Sequence, residues 1–181
     1  MQNDQQLITQ IKKGNRAAAD TLVRAYYDEI YRFVRKQTSS HETALDLTQE
    51  IFISLLKTIA HYDPKKGASF RTWLYKIATN KTIDHFRSRY AKATATLSLD
   101  DVEPVDERDF TIQIENEDFA NKVCEYLNQF PPDTQQIFRL HIFAAYTFAE
   151  IATTTGLPES SVKSKYYRLL NKLRSEFNDR Q

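Results

Sequence analysis

The stretch FRTWLYKIATNKTIDHFRSRY, from Phe70 to Tyr90, carries the residue types best suited to chemistry with a polyanion. Arg71, Lys76, Lys81, Arg87 and Arg89 supply cations, while Phe70, Trp73, Leu74, Ile77, Ile83 and Phe86 recur among them at three- and four-residue spacing. Cationic side chains hold a phosphate backbone and an exposed aromatic ring stacks on an unpaired base, so the combination suits single-stranded or melting nucleic acid. The same pattern also fits a surface helix whose Trp73 is core and whose cations are only solvated. Bond-making chemistry finds less support. His41, His61, His85 and His141 show no metal-ligand spacing, Cys124 stands alone, and no glycine-rich phosphate loop occurs. The chain is therefore read as a non-enzyme with no catalytic residue, metal site or cofactor.

The elements that position this stretch read as helices. Only three glycines and five prolines interrupt 181 residues. Leu7, Ile8 and Ile11 mark a first helix over residues 4 to 14, closed at Gly14-Asn15. A second runs from about Arg16 to Gln37 through Leu22, Val23, Tyr26, Tyr27, Ile30, Phe33 and Val34. Ser39 with Glu42 is a capping-box signature for a third, reaching about Tyr62, with Leu47, Ile51, Phe52, Leu55, Leu56 and Ile59 as its apolar face. Asp46, Gln49, Glu50 and Lys57 point elsewhere. The segment Asp63 to Ala68 then breaks the pattern with Pro64 and Gly67, and Ser69 is placed to cap the basic helix.

Charge divides the chain more sharply than its net +1 suggests. Residues 1 to 97 hold 16 Lys+Arg against 9 Asp+Glu, residues 98 to 118 hold 1 against 9, and residues 119 to 181 hold 8 against 6. Two polyanion-facing domains joined by an acidic segment fit this division. The expected fold is all-α: a helical domain over 1–92, an acidic flexible linker over 93–118 and a second small helical domain over 119–181. A lone cysteine, a polar N-terminus and the lack of an apolar run near ~18 residues favour a reducing cytoplasm and no membrane span.

The second domain carries its own signal. Phe119, Val123, Leu127 and Phe130 form one helical pattern ended by Pro131-Pro132, and Ile137, Phe138, Leu140 and Ile142 form another. Thr147 and Glu150 make a capping box for a short helix, Gly156 supplies a tight turn, and a longer helix follows from about Glu159 to Phe177. Short helix, glycine turn and longer helix is the helix-turn-helix plan, in which the start of the second helix enters the major groove. Ser160, Ser161, Lys163, Ser164, Lys165, Tyr167 and Arg168 lie there, small and cationic side chains suited to base edges and phosphates. An ordinary helical hairpin has the same spacing.

Three motifs in this order, ALDLTQEIF at 44–52, FRTWLYKIATNKTIDHFR at 70–87 and FAEIATTTGLPESSVKSKYYRLLNKLR at 148–174, resemble the extracytoplasmic-function (ECF) group of sigma factors. These are dissociable promoter-recognition subunits of bacterial RNA polymerase. The resemblance implies a region 2 domain that binds core polymerase and melts the −10 element, and a region 4 domain that reads the −35 element. It places Asp46, Gln49, Glu50 and Phe52 against the clamp helices of the largest polymerase subunit, although the family usually has an acidic residue where Leu45 stands. It places Asp63, Lys65, Lys66, Gly67, Ala68 and Phe70 at a loop that captures a flipped, single-stranded −10 base, with Trp73 at the edge of the melted duplex. Asn80, Asp84 and Arg87 match the family's N-x-x-x-D-x-x-R spacing. Asn80 is implied as the base-edge contact, Arg87 and Lys76 as phosphate contacts, and Asp84 as an orienting group. Ser160, Ser161, Lys163, Ser164, Lys165, Tyr167 and Arg168 fall on the helix that meets the duplex −35 element. There Ser160 replaces a common glycine and Leu170 a frequent basic residue. An anti-sigma factor is a further implied partner. The competing reading is a helix-turn-helix regulator that binds duplex DNA without polymerase; it explains residues 119–181 but leaves the basic aromatic helix and its loop without a purpose.

Overall fold

A computed structural model describes residues 4–38, 40–64, 69–89, 114 and 116–178. Among the described residues all regular structure is helical, as the all-α expectation requires. The chain divides into two compact units, Met1–Thr82 and Ile83–Gln181.

In the first unit, α1 (Asp4–Lys12) buries Leu7 and Ile8. Gly14, at φ +87°, turns the chain, and the Asn15 side chain accepts from the Ala18 N–H at 3.2 Å to start α2 (Arg16–Arg35). Asn15 is thus a beginning as much as a stop. Helix α2 buries Leu22, Ile30, Phe33 and Val34. The cap of α3 (His41–Thr58) is Ser40, whose hydroxyl accepts from the Thr43 N–H at 3.3 Å. The expected capping box from Ser39 is therefore replaced by a one-sided cap shifted by one residue, with Glu42 left to favour the helix N-terminus by its charge. Helix α3 ends at Thr58 rather than Tyr62, because the chain tightens into a 3₁₀ turn over Ile59–His61. Its core face is Ala44, Leu47, Thr48, Ile51, Phe52 and Leu55. Leu56 sits outside it, 39% exposed, since it lies about 140° around the helix from Ile51. Helix α4 (Phe70–Arg89) opens as the sequence predicts, with the Thr72 N–H donating to the Ser69 hydroxyl at 3.1 Å. The division between units falls within α4.

In the second unit, Asn116 caps α5 (Glu117–Leu127), accepting from the N–H groups of Asp118 and Phe119. Helical structure thus begins inside the predicted linker; residues 93–113 and 115 of that linker lie outside the described residues. Pro132 is the first residue of α6 (Pro132–Ala144), where a missing N–H costs nothing, so the proline pair separates two helices by starting the second. The chain leaves α6 through Ala145 at φ 55° and enters α7 (Phe148–Thr155) with both halves of the Thr147/Glu150 capping box formed. Gly156, at φ +75°, provides the turn into α8 (Glu159–Asn178). Helices α6, α7 and α8 pack on one another around Ile137, Phe138, Leu140, Ile151, Val162, Tyr166, Leu169 and Leu173. Leu170 is buried with them, so the family's basic residue there is replaced by core.

Arg139 is a fully buried charge in this unit. Its Nη1 donates to Cys124 Sγ at 3.6 Å and its guanidinium lies 5.0 Å from the Phe86 ring centroid. Burial raises the Cys124 thiol, with the Arg139 charge pulling the other way; burial also lowers Arg139. Cys124 therefore serves as a packed thiol.

Candidate nucleic-acid interface

Helix α4 buries Phe70, Leu74, Tyr75, Ala78, Thr79, Thr82, Ile83 and Phe86. The two buried threonines among these are each satisfied by their own helix: Thr79 donates to the Tyr75 carbonyl and Thr82 to the Ala78 carbonyl, both at 2.8 Å. A buried hydroxyl bonded in this way does not leave a costly orphan. The other side carries Trp73, Lys76, Asn80, Asp84 and Arg87. At ~100° per residue these positions fall within an arc of about 80°. Lys76, Asn80, Asp84 and Arg87 are exposed and Trp73 is half-buried. The structure therefore gathers five residues that the spacing singled out into one surface strip.

Arg71 leaves that group. It lies on the opposite side, where its Nε donates to Glu29 Oε1 at 2.6 Å and its guanidinium stands 4.8 Å from the Tyr75 ring centroid. The Tyr75 hydroxyl donates to the same Glu29 oxygen at 2.9 Å. Arg71 is thus a clamp between α2 and α4 instead of a cation offered to a polyanion. Lys81 is half-buried, and the Arg89 side chain lies outside the described residues.

The strip begins beside an aromatic cluster. Phe70 is only 3% exposed, held edge-on by Tyr26 at 5.3 Å and Tyr62 at 5.7 Å, so its ring is core and is not offered for base stacking. Trp73 tilts against Tyr62 at 5.2 Å while keeping part of its surface open, which joins the two readings its position allowed. Burial, and then Asp4, raise the Tyr26 phenol; burial, Asp4 and Asp63 raise that of Tyr62. Both stay protonated near neutral pH. Asp63 is half-buried, and Lys65, Lys66, Gly67 and Ala68 lie outside the described residues.

A separate surface lies on α3. Asp46, Gln49 and Glu50 are exposed, as their phase predicts. Phe52 is not: at 5% exposure it stacks on Tyr27 with ring centroids 5.9 Å apart, so it belongs to the core and corrects the expectation of a contact residue. Its place on the surface is taken by Ile53, 53% exposed, and Leu56, which sequence reasoning missed or assigned to the core. The signal was there, because the spacing 46, 49, 53, 56 traces one face.

On α8, Ser160 and Lys163 are exposed, and Ser161, Ser164, Lys165, Tyr167 and Arg168 are half-buried. Two of the cations are already paired. Lys163 lies 2.7 Å from Glu159 one turn earlier, a solvent-exposed pair worth little and readily exchanged. Lys165 reaches Asp133 at the start of α6, 2.9 Å away. Burial pushes the Asp133 carboxyl up, but hydrogen bonds from Lys165 and the Thr134 N–H outweigh it and hold the group below its ordinary value. A carboxyl depressed in the folded state stabilises it above the unfolded pKa, and that contribution fades as pH falls through the depressed value. Asp133→Asn is expected to flatten this acid limb. In melts from about pH 6 to about pH 3, the gap between variant and wild type should close at the acid end.

An exposed polar and cationic strip on α4 and a helix-turn-helix over α7 and α8 are the features of a helical nucleic-acid-binding protein. Comparison with known proteins gives that class its family. Sigma-70 region 2 matches residues 22–91 and Sigma-70, region 4 matches residues 121–173. The ECF RNA polymerase sigma factor SigM of Mycobacterium tuberculosis is 30% identical over 92% of this chain and 80% of its own length. The ECF RNA polymerase sigma factor SigW of Bacillus subtilis is 28% identical over 95% of each. Among solved structures, CnrH in complex with the cytosolic domain of CnrY shares the fold with a TM-score of 0.65 at 20% identity, covering 98% of this chain and 99% of that one. The chain belongs to the ECF family of alternative sigma factors, non-catalytic factors of transcription initiation. No described helix is long and apolar enough to cross a membrane.

Proposed function

We propose that this sigma factor divides promoter recognition between residues 1–92 and residues 119–181, joined by the acidic segment 93–118. The α3 face of Asp46, Gln49 and Glu50, extended by Ile53 and Leu56, docks on the clamp helices of the largest subunit of core polymerase. Polar residues around two exposed apolar side chains suit such a surface. The segment from Asp63 to Ala68 captures a −10 base from the non-template strand, Trp73 meets the edge of the melted duplex, and Lys76, Asn80, Asp84 and Arg87 engage the strand beyond. Their common face on α4 is the observation that carries this assignment. On α8, Ser160, Ser161, Lys163, Ser164, Tyr167 and Arg168 read the −35 duplex, while Lys165, drawn to Asp133, ties the reading helix to α6.

In this reading the factor has no catalytic activity of its own, works in the cytoplasm, and is held by an anti-sigma factor until released. Two fold relatives support that partner class, CnrH in complex with the cytosolic domain of CnrY and RpoE in complex with the anti-sigma factor NepR from Bartonella quintana. Run-off transcription with reconstituted holoenzyme, followed by start-site mapping, tests the whole. Promoter-specific transcripts that appear only when the factor joins core enzyme are the expected result. Tight, specific duplex binding by the free factor, unchanged by core enzyme, would point instead to a conventional regulator. Lys163→Ala and Arg168→Ala are each expected to weaken −35 binding and to lower the slope of log affinity against log salt by about one.

A further inference from the structure

Helix α1 lies outside the region 2 match at residues 22–91, yet two of its side chains reach the base of the segment that precedes α4. Lys12 Nζ donates to the Tyr62 carbonyl at 2.7 Å, and the Tyr26 hydroxyl donates to Asp4 at 2.7 Å. Tyr62 is the residue before Asp63, where the segment departs, and Phe70 is the first residue of α4, where the chain returns. Tyr26 and Tyr62 are the two rings that hold Phe70 edge-on, and Tyr62 also backs Trp73. The two polar contacts of α1 thus end on the two tyrosines that grip both ends of the segment.

Folding does not demand the Lys12 contact. Leu7 and Ile8 already bury α1 against the unit, and Lys12 is an exposed side chain on its last turn. Its ammonium instead fixes the orientation of one peptide carbonyl through a charge-assisted bond. A site that must hold a flipped base depends on such fixed geometry, because small displacements of the supporting groups are costly there. We propose that α1 braces the base-capturing segment, with Lys12 and Asp4 as positioning residues that set where Tyr62 and Phe70 hold its two ends. The proposal rests on the −10 capture reading above.

The test uses holoenzyme assembled from the full chain and core polymerase, on a promoter found by start-site mapping and on versions with each −10 base replaced singly. The ratio of run-off product between the promoter and its replaced versions measures base selectivity; affinity for core enzyme and the thermal midpoint of the free factor are read alongside. Lys12→Met keeps the aliphatic stem and removes the donor. It is expected to reduce selectivity roughly fivefold, with core affinity and midpoint unchanged, the scale of one ordinary net hydrogen bond, since Lys12 is exposed to solvent. Lys12→Arg is expected to restore selectivity, and Asp4→Ala to reduce it in the same direction. Selectivity untouched by Lys12→Met overturns the brace, and so does a fall that tracks core affinity and midpoint together. If the wild-type holoenzyme shows no −10 base preference, the capture reading fails and the brace with it. A wild-type preference that survives Lys12→Met intact sinks the brace alone.

Discussion

Holoenzyme carrying Asn80→Ala is expected to lose most of its discrimination between −10 sequences, by roughly 1–3 kcal/mol or about 5- to 150-fold, with affinity for core polymerase unchanged. The expectation follows from position. Asn80 is exposed at the centre of the α4 strip, one turn from Lys76 and from Asp84. An amide supplies a donor and an acceptor together, which a base edge requires and a phosphate does not. Its removal therefore takes away sequence information while the flanking Lys76 and Arg87 keep their hold on the backbone. Competition between −10 variants in single-round transcription, set beside a core-binding titration, separates the two effects. Equal loss of both would assign Asn80 to folding.

Phe138→Ala is expected to have the largest effect on stability, about 3–5 kcal/mol, and to abolish −35 binding with it. Phe138 is fully buried on α6, its ring stacked 6.2 Å from that of Tyr166 on α8 and edge-on to Phe143 at the same distance. The alanine leaves a cavity beneath the reading helix, whose orientation depends on that contact. Denaturant titration should show the loss as a lower midpoint, and Phe138→Leu should recover a good part of it because less volume is removed. A full-sized loss of −35 affinity without destabilisation would mean that the ring acts on DNA by a route other than packing.

The parts of this structure that were legible in sequence are those that depend on local chemistry. The Thr147/Glu150 capping box, Gly156 and the Ser69 cap all act over three or four residues, and all three form as expected. The Ser39 expectation failed by one position because two adjacent serines offer nearly the same local signal, and Ser40 is the one that caps α3. The direction of aromatic side chains was harder. Phe52 and Phe70 carry the same residue type as a surface anchor would, and only the neighbouring Tyr27, Tyr26 and Tyr62 show them to be core. Arg139 was illegible for the opposite reason: a guanidinium signals solvent, and nothing within its own helix announces Cys124 or Phe86 as its surroundings. The α1 contacts were hidden because they join residues separated by 22 and 50 positions.

The self-satisfied threonines of α4 have an evolutionary reach. Because Thr79 and Thr82 spend their hydroxyls within the helix and Tyr75 finds its acceptor in Glu29 of α2, the polar needs of the buried side are met without the strip of Lys76, Asn80, Asp84 and Arg87. Under the −10 assignment we propose, foldedness and promoter choice are then nearly independent variables on a single helix. A lineage can rewrite the strip to serve new promoters without passing through unstable intermediates, and an engineer can randomise those four positions while holding the other side fixed.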